Sequence, residues 1–326
     1  MSILITGSGM VGAQAARILF ERGERPVLYD KAPNLDFLSK LIDLNSVEIV
    51  TGDILDLSSV MQTIRSNEVS CIIHTAGLLT KYIRSAPYDG VKINVLGTAT
   101  VLEAARLTGV NRVIYTSSGI VYYGAVGIPQ KGVFDEDFDT KCLTGKPAGI
   151  YGFSKLSGEY LGLIYRELYG IEFSALRYSL IYGPWIGVPA GGGEMMARLV
   201  RAGVSGNQAV IEPSVAFAGR LQFLYSKDAG EAAVLACFAK EVPKGVYNIS
   251  MAQAYELREV LDIAKKVFPK MDIDIIDIPK AGLFGYKPME YPFDTSSAKR
   301  EIGFEPRYSL EESLKDFAEW VRFNTL

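Results

Sequence analysis

Histidine is nearly absent from this 326-residue chain, which carries one, His74. A metal centre built on imidazole ligands is therefore out of reach. Cysteine is scarce too: Cys71, Cys142 and Cys237 form an odd, scattered set, which reads as reduced thiols in a cytoplasmic protein and not as a disulfide framework. No apolar run approaches the ~18 residues of a membrane span, and the N-terminus lacks the charged region and cleavage site of a signal peptide. The 34 basic and 37 acidic residues are interspersed, for a net charge of −3, with no basic stripe. Neither a membrane nor a nucleic acid is therefore an expected partner. No internal repeat and no low-complexity segment occurs. What remains is a chain long enough to bury a large core, expected as a big α/β domain with a smaller one appended, acting on a small-molecule substrate.

The glycines are informative by position. Ser2 to Thr6 is a short apolar run, read as a buried strand. It stops at Gly7-Ser8-Gly9-Met10-Val11-Gly12, and a helical stretch runs on from Ala13 to Glu21. In such a strand–glycine–helix arrangement Gly7 permits the tight turn, Gly9 lets the backbone approach a pyrophosphate, and Gly12 lets helix and strand pack closely. The freed N–H groups of the loop, those of Met10 and Val11 included, face the anion together with the positive end of the helix dipole. Pro26 to Asp30 reads as a second strand, and Asp30 lies 18 residues past Gly12, where an acidic side chain accepts hydrogen bonds from an adenosine ribose. A carboxylate there repels a 2′-phosphate and favours NAD over NADP; Lys31, next in the chain, softens that preference.

Three more strands are expected at Val47–Thr51, Val69–His74 and Asn111–Thr116, the last running into Ser117 and Ser118, with a clear helical pattern from Asn94 to Leu107. Strand and helix alternate, which predicts an α/β, Rossmann-type doubly wound parallel sheet. Ligands bind such sheets beyond the carboxyl ends of the strands. Gly7, Asp30, Asp53, His74 to Gly77 and Ser117-Ser118 all fall there.

Tyr151-Gly-Phe-Ser-Lys155 opens another apolar-periodic run, through Leu156, Tyr160, Leu163, Ile164 and Leu168, read as a helix. Residues four apart share a helix face, so Lys155 lies beside the base of the Tyr151 ring. A phenol ordinarily titrates near ~10, and a neighbouring ammonium is expected to draw it down toward working pH. Ser118 then holds a substrate oxygen while Tyr151 moves its proton. His74 is expected as a strand-end imidazole bonded to backbone.

The chain resembles the extended short-chain dehydrogenases/reductases, the NAD-dependent epimerase/dehydratase family. The likeness rests on Gly7 to Gly12, Asp30, Gly52-Asp53, His74-Thr75-Ala76-Gly77, Asn94, Thr116-Ser117-Ser118, Tyr151-x-x-x-Lys155, Arg177 to Pro184, Tyr225 to Asp228, Tyr247 to Ser250 and Gly303 to Pro306. It implies NAD as cofactor, held by the glycine loop and Asp30, with Asp53 and Ile54 near the adenine and Thr75, Ala76, Gly77 and Thr116 lining the groove. It implies Tyr151 as general acid/base, Lys155 on the nicotinamide ribose, Ser118 on the substrate oxygen, and Ser117, Gly119, Tyr178 and Arg220 toward the substrate. Asn94 is expected to be structural. The implied domains are 1–178, with 226–250 returning to it, for NAD, and 179–225 with 251–326 for substrate. A homodimer through the helices at Asn94–Leu107 and Tyr151–Leu168 is implied, with Leu161, Leu163, Ile164 and Leu168 available for the interface.

Departures from the family pattern narrow the chemistry. The glycine loop is one residue shorter than the usual T-G-x-x-G-x-x-G, which leaves a dinucleotide fingerprint intact. Gly119 follows Ser118 where dehydratases and decarboxylases place acidic residues. Leu180 and Leu221 stand where nucleotide-sugar epimerases often carry an asparagine and an arginine, with Arg220 displaced by one; in a strand such a shift reverses the facing. The leading expectation is therefore an oxidoreductase moving hydride between NAD and a secondary alcohol of a sugar, polyol or hydroxy acid. A nucleotide-sugar 4-epimerase and a non-catalytic NAD-binding regulator are the alternatives. Between Gly124 and Gly149 a long irregular stretch reads as a lid, its Asp135-Glu136-Asp137 run as a solvated face. The glycines at 191–193 offer flexibility or N–H donors for an anion.

Overall fold

The computed structural model describes residues 1–122, 132–138, 149–185, 192–211, 219–251, 253–275 and 291–324. The chain opens with β1 (Ser2–Thr6), α1 (Met10–Glu21), β2 (Arg25–Asp30), the short α2 (Leu35–Ser39) and β3 (Glu48–Thr51). It continues through α3 (Leu57–Ser66), β4 (Cys71–His74), the short α4 (Thr80–Ser85) and α5 (Pro87–Val91), and α6 (Gly97–Thr108). A π-helical turn, Lys92–Leu96, joins α5 to α6. Then come β5 (Arg112–Ser118), α7 (Gly149–Tyr169), β6 (Glu172–Tyr178), β7 (Leu180–Tyr182), α8 (Gly192–Ser205) and β8 (Ala209–Ile211). The rest is β9 (Leu221–Tyr225), α9 (Ser226–Phe238), β10 (Val246–Ile249), β11 (Ala254–Tyr255), α10 (Leu257–Val267), β12 (Ile273–Ile275) and α11 (Leu310–Asn324).

Seven strands form one parallel sheet in the order β10-β6-β5-β4-β1-β2-β3. The order reverses between β1 and β4, the switch point where a doubly wound sheet leaves a crevice at its carboxyl edge. Buried aliphatic runs such as Ile3-Leu4-Ile5 and Ile72-Ile73 fill both faces, as a sheet covered on two sides requires. On one face α1 and α9 pack through alanines and Gly230, whose missing Cβ would stand 2.7 Å from the Gln14 Cβ. On the other, Gly158 and Gly162 let α7 close on the rings of Tyr115 and Phe173, where a Cβ would collide at 2.5 and 2.1 Å. That close approach sets the first turns of α7 beside the end of β5.

A second core gathers α8, α10 and α11 against β7, β9 and β11, with Phe223, Tyr225, Phe317 and Leu314 buried. Strand boundaries moved by a residue or two from the expected ones. β5 runs on to Ser118, two residues further than expected, because its pairing with β6 extends to Ser118 opposite Tyr178. The helix expected from Asn94 begins as the π turn, and the Asn94 side chain ties the backbone of Leu78 to Ser154 on α7. Of the expected lid, Phe134 to Phe138 are described, and the acidic run departs from expectation. Asp137 is exposed, but Glu136 is buried and accepts from the Asn248 N–H at 3.0 Å. Cys142 and Gly191 lie outside the described residues.

Candidate active site

Gly7 takes φ +88°, and a Cβ there would stand 2.7 Å from the Ala76 nitrogen; a Cβ on Gly12 would stand 2.0 Å from the Gly7 oxygen. These two glycines are demanded by the protein itself. Gly9 is different: a Cβ on it would meet nothing within 4 Å, so the backbone is bare toward open space. Gly9 also caps α1 without a side-chain bond, and no acidic residue occupies the first turn. The leading N–H groups and the positive dipole end thus face that space, a fit for a dinucleotide pyrophosphate.

Asp30 stands beside the loop. Its Oδ2 accepts from the Ser8 N–H at 2.6 Å and the Ser8 hydroxyl at 2.9 Å, and its Oδ1 accepts from the Ala32 N–H at 2.8 Å. A carboxylate has about four acceptor sites, so Asp30 shapes the loop and keeps capacity for a ribose hydroxyl. Lys31 reaches to Asp53 at 2.8 Å. Ile54 buries its side chain in the core against Gly97, which leaves Asp53 as the side chain at the groove edge. Thr75 donates to the Thr6 and Gly7 carbonyls and so braces the loop.

Lys155 is buried, one turn along α7 from Tyr151. Its Nζ donates to the Thr116 carbonyl at 2.7 Å, lies 4.9 Å from the Tyr115 ring centroid, and lies 5.8 Å from the Tyr151 centroid. Gly77 is exposed and passes beside it: a Cβ there would stand 3.8 Å from Nζ. The Ser118 side chain acts on the Tyr151 phenol, favouring its ionised form, and its Oγ accepts from the Ile120 N–H at 3.2 Å. Two hydroxyls and an ammonium therefore meet at the carboxyl end of β5, beside the glycine loop side of the sheet.

The expected lowering of the Tyr151 pKa is not found. Burial pushes the phenol up to about 12, with the Ser118 bond pulling the other way. Burial likewise pulls the Lys155 ammonium down to about 8, against the opposing charge of Glu159. The ammonium is committed to the Thr116 carbonyl, and desolvation is the largest influence on the phenol.

His74 is buried and bridges Thr6 at 2.6 Å and Thr98 at 3.0 Å. Burial, reinforced by Lys155, holds it neutral with a pKa of about 3. Asn94 accepts from the Leu78 N–H at 2.7 Å and donates to the Leu78 carbonyl and Ser154. Both are scaffold residues.

Three residues expected near the substrate are turned elsewhere. Ser117 faces away from Ser118, as strand alternation requires, and donates to buried Glu159 at 2.5 Å. Tyr178 sends its hydroxyl to the Ala229 carbonyl at 2.9 Å, inside the core beneath α9. Arg220 donates to the Ala254 carbonyl at 3.1 Å, while Leu221 fills the second core. Thr116 contributes its carbonyl to Lys155 and its hydroxyl to the His74 carbonyl. Gly119 is buried under the Phe293 ring, which a Cβ would meet at 2.4 Å.

Sequence reasoning missed the group behind the site. Arg177 makes a bidentate, buried pair with Glu159 at 2.7 to 3.2 Å and donates to the Tyr122 hydroxyl and the Glu136 carbonyl. Glu159 continues the row of Tyr151 and Lys155 by another four residues, a spacing legible in the chain.

Among the described residues no helix is long and apolar enough to cross a membrane, and no cluster of histidine, cysteine and carboxylates suits a metal ion. The model of the NAD-dependent epimerase/dehydratase family matches residues 3–250. A putative UDP-glucose 4-epimerase of Methanocaldococcus jannaschii is 28% identical over 328 residues, 99% of each chain. UDP-glucuronate 4-epimerase 2 of Arabidopsis thaliana is 25% identical over 98% of this chain and 75% of its own. In structure, the UDP-glucose 4-epimerase of Thermotoga maritima, solved with UDP-glucose, superposes with a TM-score of 0.83 at 22% identity, covering both chains fully. Glycine loop, Tyr151–Lys155 pair and parallel sheet thus agree with the match across three quarters of the sequence, and the chain belongs to the NAD-dependent epimerase/dehydratase family.

Proposed function

We propose that this enzyme inverts a secondary alcohol, at C4, of a nucleoside-diphosphate sugar. The observation that carries the reading is the Tyr151–Ser118 hydroxyl pair set beside a buried ammonium and a bare glycine loop. Two proteins that it resembles over 98% or more of its length are named a putative UDP-glucose 4-epimerase and a UDP-glucuronate 4-epimerase, which supports the substrate class. NAD, when bound, would supply the hydride chemistry. Gly7 to Gly12 and Asp30 would hold the cofactor, with Ala76, Gly77 and Asp53 lining its groove. Tyr151, as the phenolate, takes the substrate proton at its Oη to become the neutral phenol and gives it back on the return step. Ser118 holds the same oxygen, and the Lys155 ammonium stabilises the phenolate form. Fixed donors at that oxygen act where charge develops.

A dehydrogenase acting on a substrate without a nucleotide is the second reading, favoured by Leu221 in the core and Arg220 on the Ala254 carbonyl. The NAD side is assigned to 1–178 with 226–250, in keeping with the strands of the large sheet, and the substrate side to 179–225 with 251–326. A homodimer is assigned to the exposed apolar row Phe153, Tyr160, Ile164 and Leu168 on α7, with Leu96 and Leu107 also exposed at the two ends of α6. Leu161 and Leu163 turn inward instead. Incubation with UDP-glucose, UDP-glucuronate and a panel of free sugars, polyols and hydroxy acids separates the readings. Epimer formation without net NADH supports the first, NADH accumulating on a free substrate supports the second, and no turnover anywhere overturns both.

A further inference from the structure

Behind the Ser118–Tyr151 pair stands an aromatic wall built from two segments far apart in the chain. Phe134 and Phe138 come from residues 132–138, and Tyr291 and Phe293 from residues 291–294. The segments meet in a parallel bridge, Phe134 N–H to the Pro292 carbonyl at 2.8 Å and Asp294 N–H to the Phe134 carbonyl at 3.0 Å. Tyr151 and Leu156 pack on this cluster, and the Phe293 ring fills the space above Gly119, next to Ser118. The wall thus fixes what the phenol and the serine turn rest against.

One side chain fastens both segments to the sheet. Asn248, fully buried on the edge strand β10, lies in register opposite Arg177. Its Nδ2 donates to the Phe134 carbonyl at 2.9 Å and to the Asp294 carbonyl at 3.2 Å, one in each segment. Its Oδ1 accepts from the Tyr122 hydroxyl at 2.8 Å, and its backbone N–H, free because β10 is an edge, donates to Glu136 at 3.0 Å. Both amide protons are spent on carbonyls, one in each segment, a pairing that only a side chain with two donors and an acceptor can make. Gln222 adds a second fastening, accepting from the Phe293 N–H at 2.8 Å.

We propose that Asn248 is a positioning residue for the reaction: through the two segments it clamps, it holds the Tyr151 hydroxyl and Ser118 at their working separation. It touches no substrate itself. The inference rests on Tyr151 as acid/base, so its test carries one arm that needs no turnover.

Asn248→Asp keeps the size but swaps the two donors for an oxygen facing two carbonyls and Glu136. In the full-length protein it is expected to lower kcat about 10- to 100-fold, the scale of a small misplacement of reacting groups, while the NAD Kd stays within about twofold. Phe293→Leu, which leaves every bond of the clamp in place and thins the wall, lowers kcat in the same direction and decides the matter if the first variant does not fold. 3-Fluorotyrosine placed at 151 reports by 19F NMR whether the ring environment moves, with or without activity. A shifted fluorine resonance in the variants supports the clamp even where the wild type turns over no sugar tested, an outcome that defeats the functional reading alone. A folded variant with kcat within twofold of wild type and an unmoved resonance overturns it.

Discussion

Tyr151 and Lys155 stand one turn apart on α7 and burial drives them in opposite directions, the phenol up to about 12 and the ammonium down to about 8. Below about pH 8 the free enzyme pairs a phenol with an ammonium; above it the amine is neutral and no longer supports ionisation of Tyr151. We expect kcat/KM to fall above about pH 8. Folding responds the other way. The unfolded lysine holds its proton up to about 10.5 while the folded one releases it near 8, so this group's contribution to stability rises with pH between those values, by about 1.4 kcal/mol per unit. A rate profile beside urea midpoints at pH 7.5 and 9 tests both signs. Alkaline loss of activity that tracked unfolding would contradict them.

Tyr151→Phe removes the hydroxyl and leaves the ring in its aromatic wall. Turnover should drop about 10²- to 10⁴-fold, and the NAD Kd, measured by calorimetry, should change by less than about threefold. Turnover within a few-fold of wild type would mean another group moves the proton.

Two glycines of one loop should fail in different ways. A Cβ on Gly9 meets nothing within 4 Å, whereas one on Gly12 stands 2.0 Å from the Gly7 oxygen. Gly9→Ala should therefore leave the melting temperature unchanged and weaken NAD binding at least about tenfold, because only a ligand is obstructed. Gly12→Ala should lower both. Unaltered NAD affinity in Gly9→Ala would move the pyrophosphate elsewhere.

The contrast shows what the chain discloses. Local rules read well: the glycine loop, Asp30 and the Tyr151–Lys155 spacing each depend on residues within one turn or one strand end. Facing and long-range partners read poorly. Ser117 and Ser118 are neighbours in every motif, yet alternation along β5 sends one to Glu159 and the other to Tyr151. Tyr178 ends a strand at the site edge, but its hydroxyl is taken by α9. The direction of the Tyr151 shift depended on burial, which spacing does not reveal. Asn248 meets residues 114 positions before it and 46 after, a relationship no local pattern encodes.

The single histidine makes a sharp spectroscopic test. His74 holds Thr6 and Thr98 as a neutral ring, with its pKa brought down to about 3 by burial and then by Lys155. Its NMR ring resonance should not titrate between pH 5 and 8. The unfolded chain takes up that proton from about pH 6.5 downward and the folded chain does not, so this group's stability contribution is complete above 6.5 and is lost as pH falls toward 3. A midpoint near 6.5 in the folded protein would place the ring in solvent.

Arg177 and Glu159 form the buried ion pair that lies one turn past Lys155, and both side chains are less than 8% exposed. Removing one partner strands the other without water, at a cost of about 3–5 kcal/mol. Arg177→Met should lower the urea midpoint accordingly, since among the described residues only Ser117 remains hydrogen-bonded to the stranded carboxylate. Glu159→Gln keeps acceptor geometry for Ser117 and removes the charge that opposes the burial of Lys155. Its stability loss should be no larger, but the alkaline limb of kcat/KM should move to lower pH. Charge on Glu159 thus serves Lys155 as well as Arg177. A Glu159→Gln enzyme with the wild-type alkaline limb would confine the pair to a structural role.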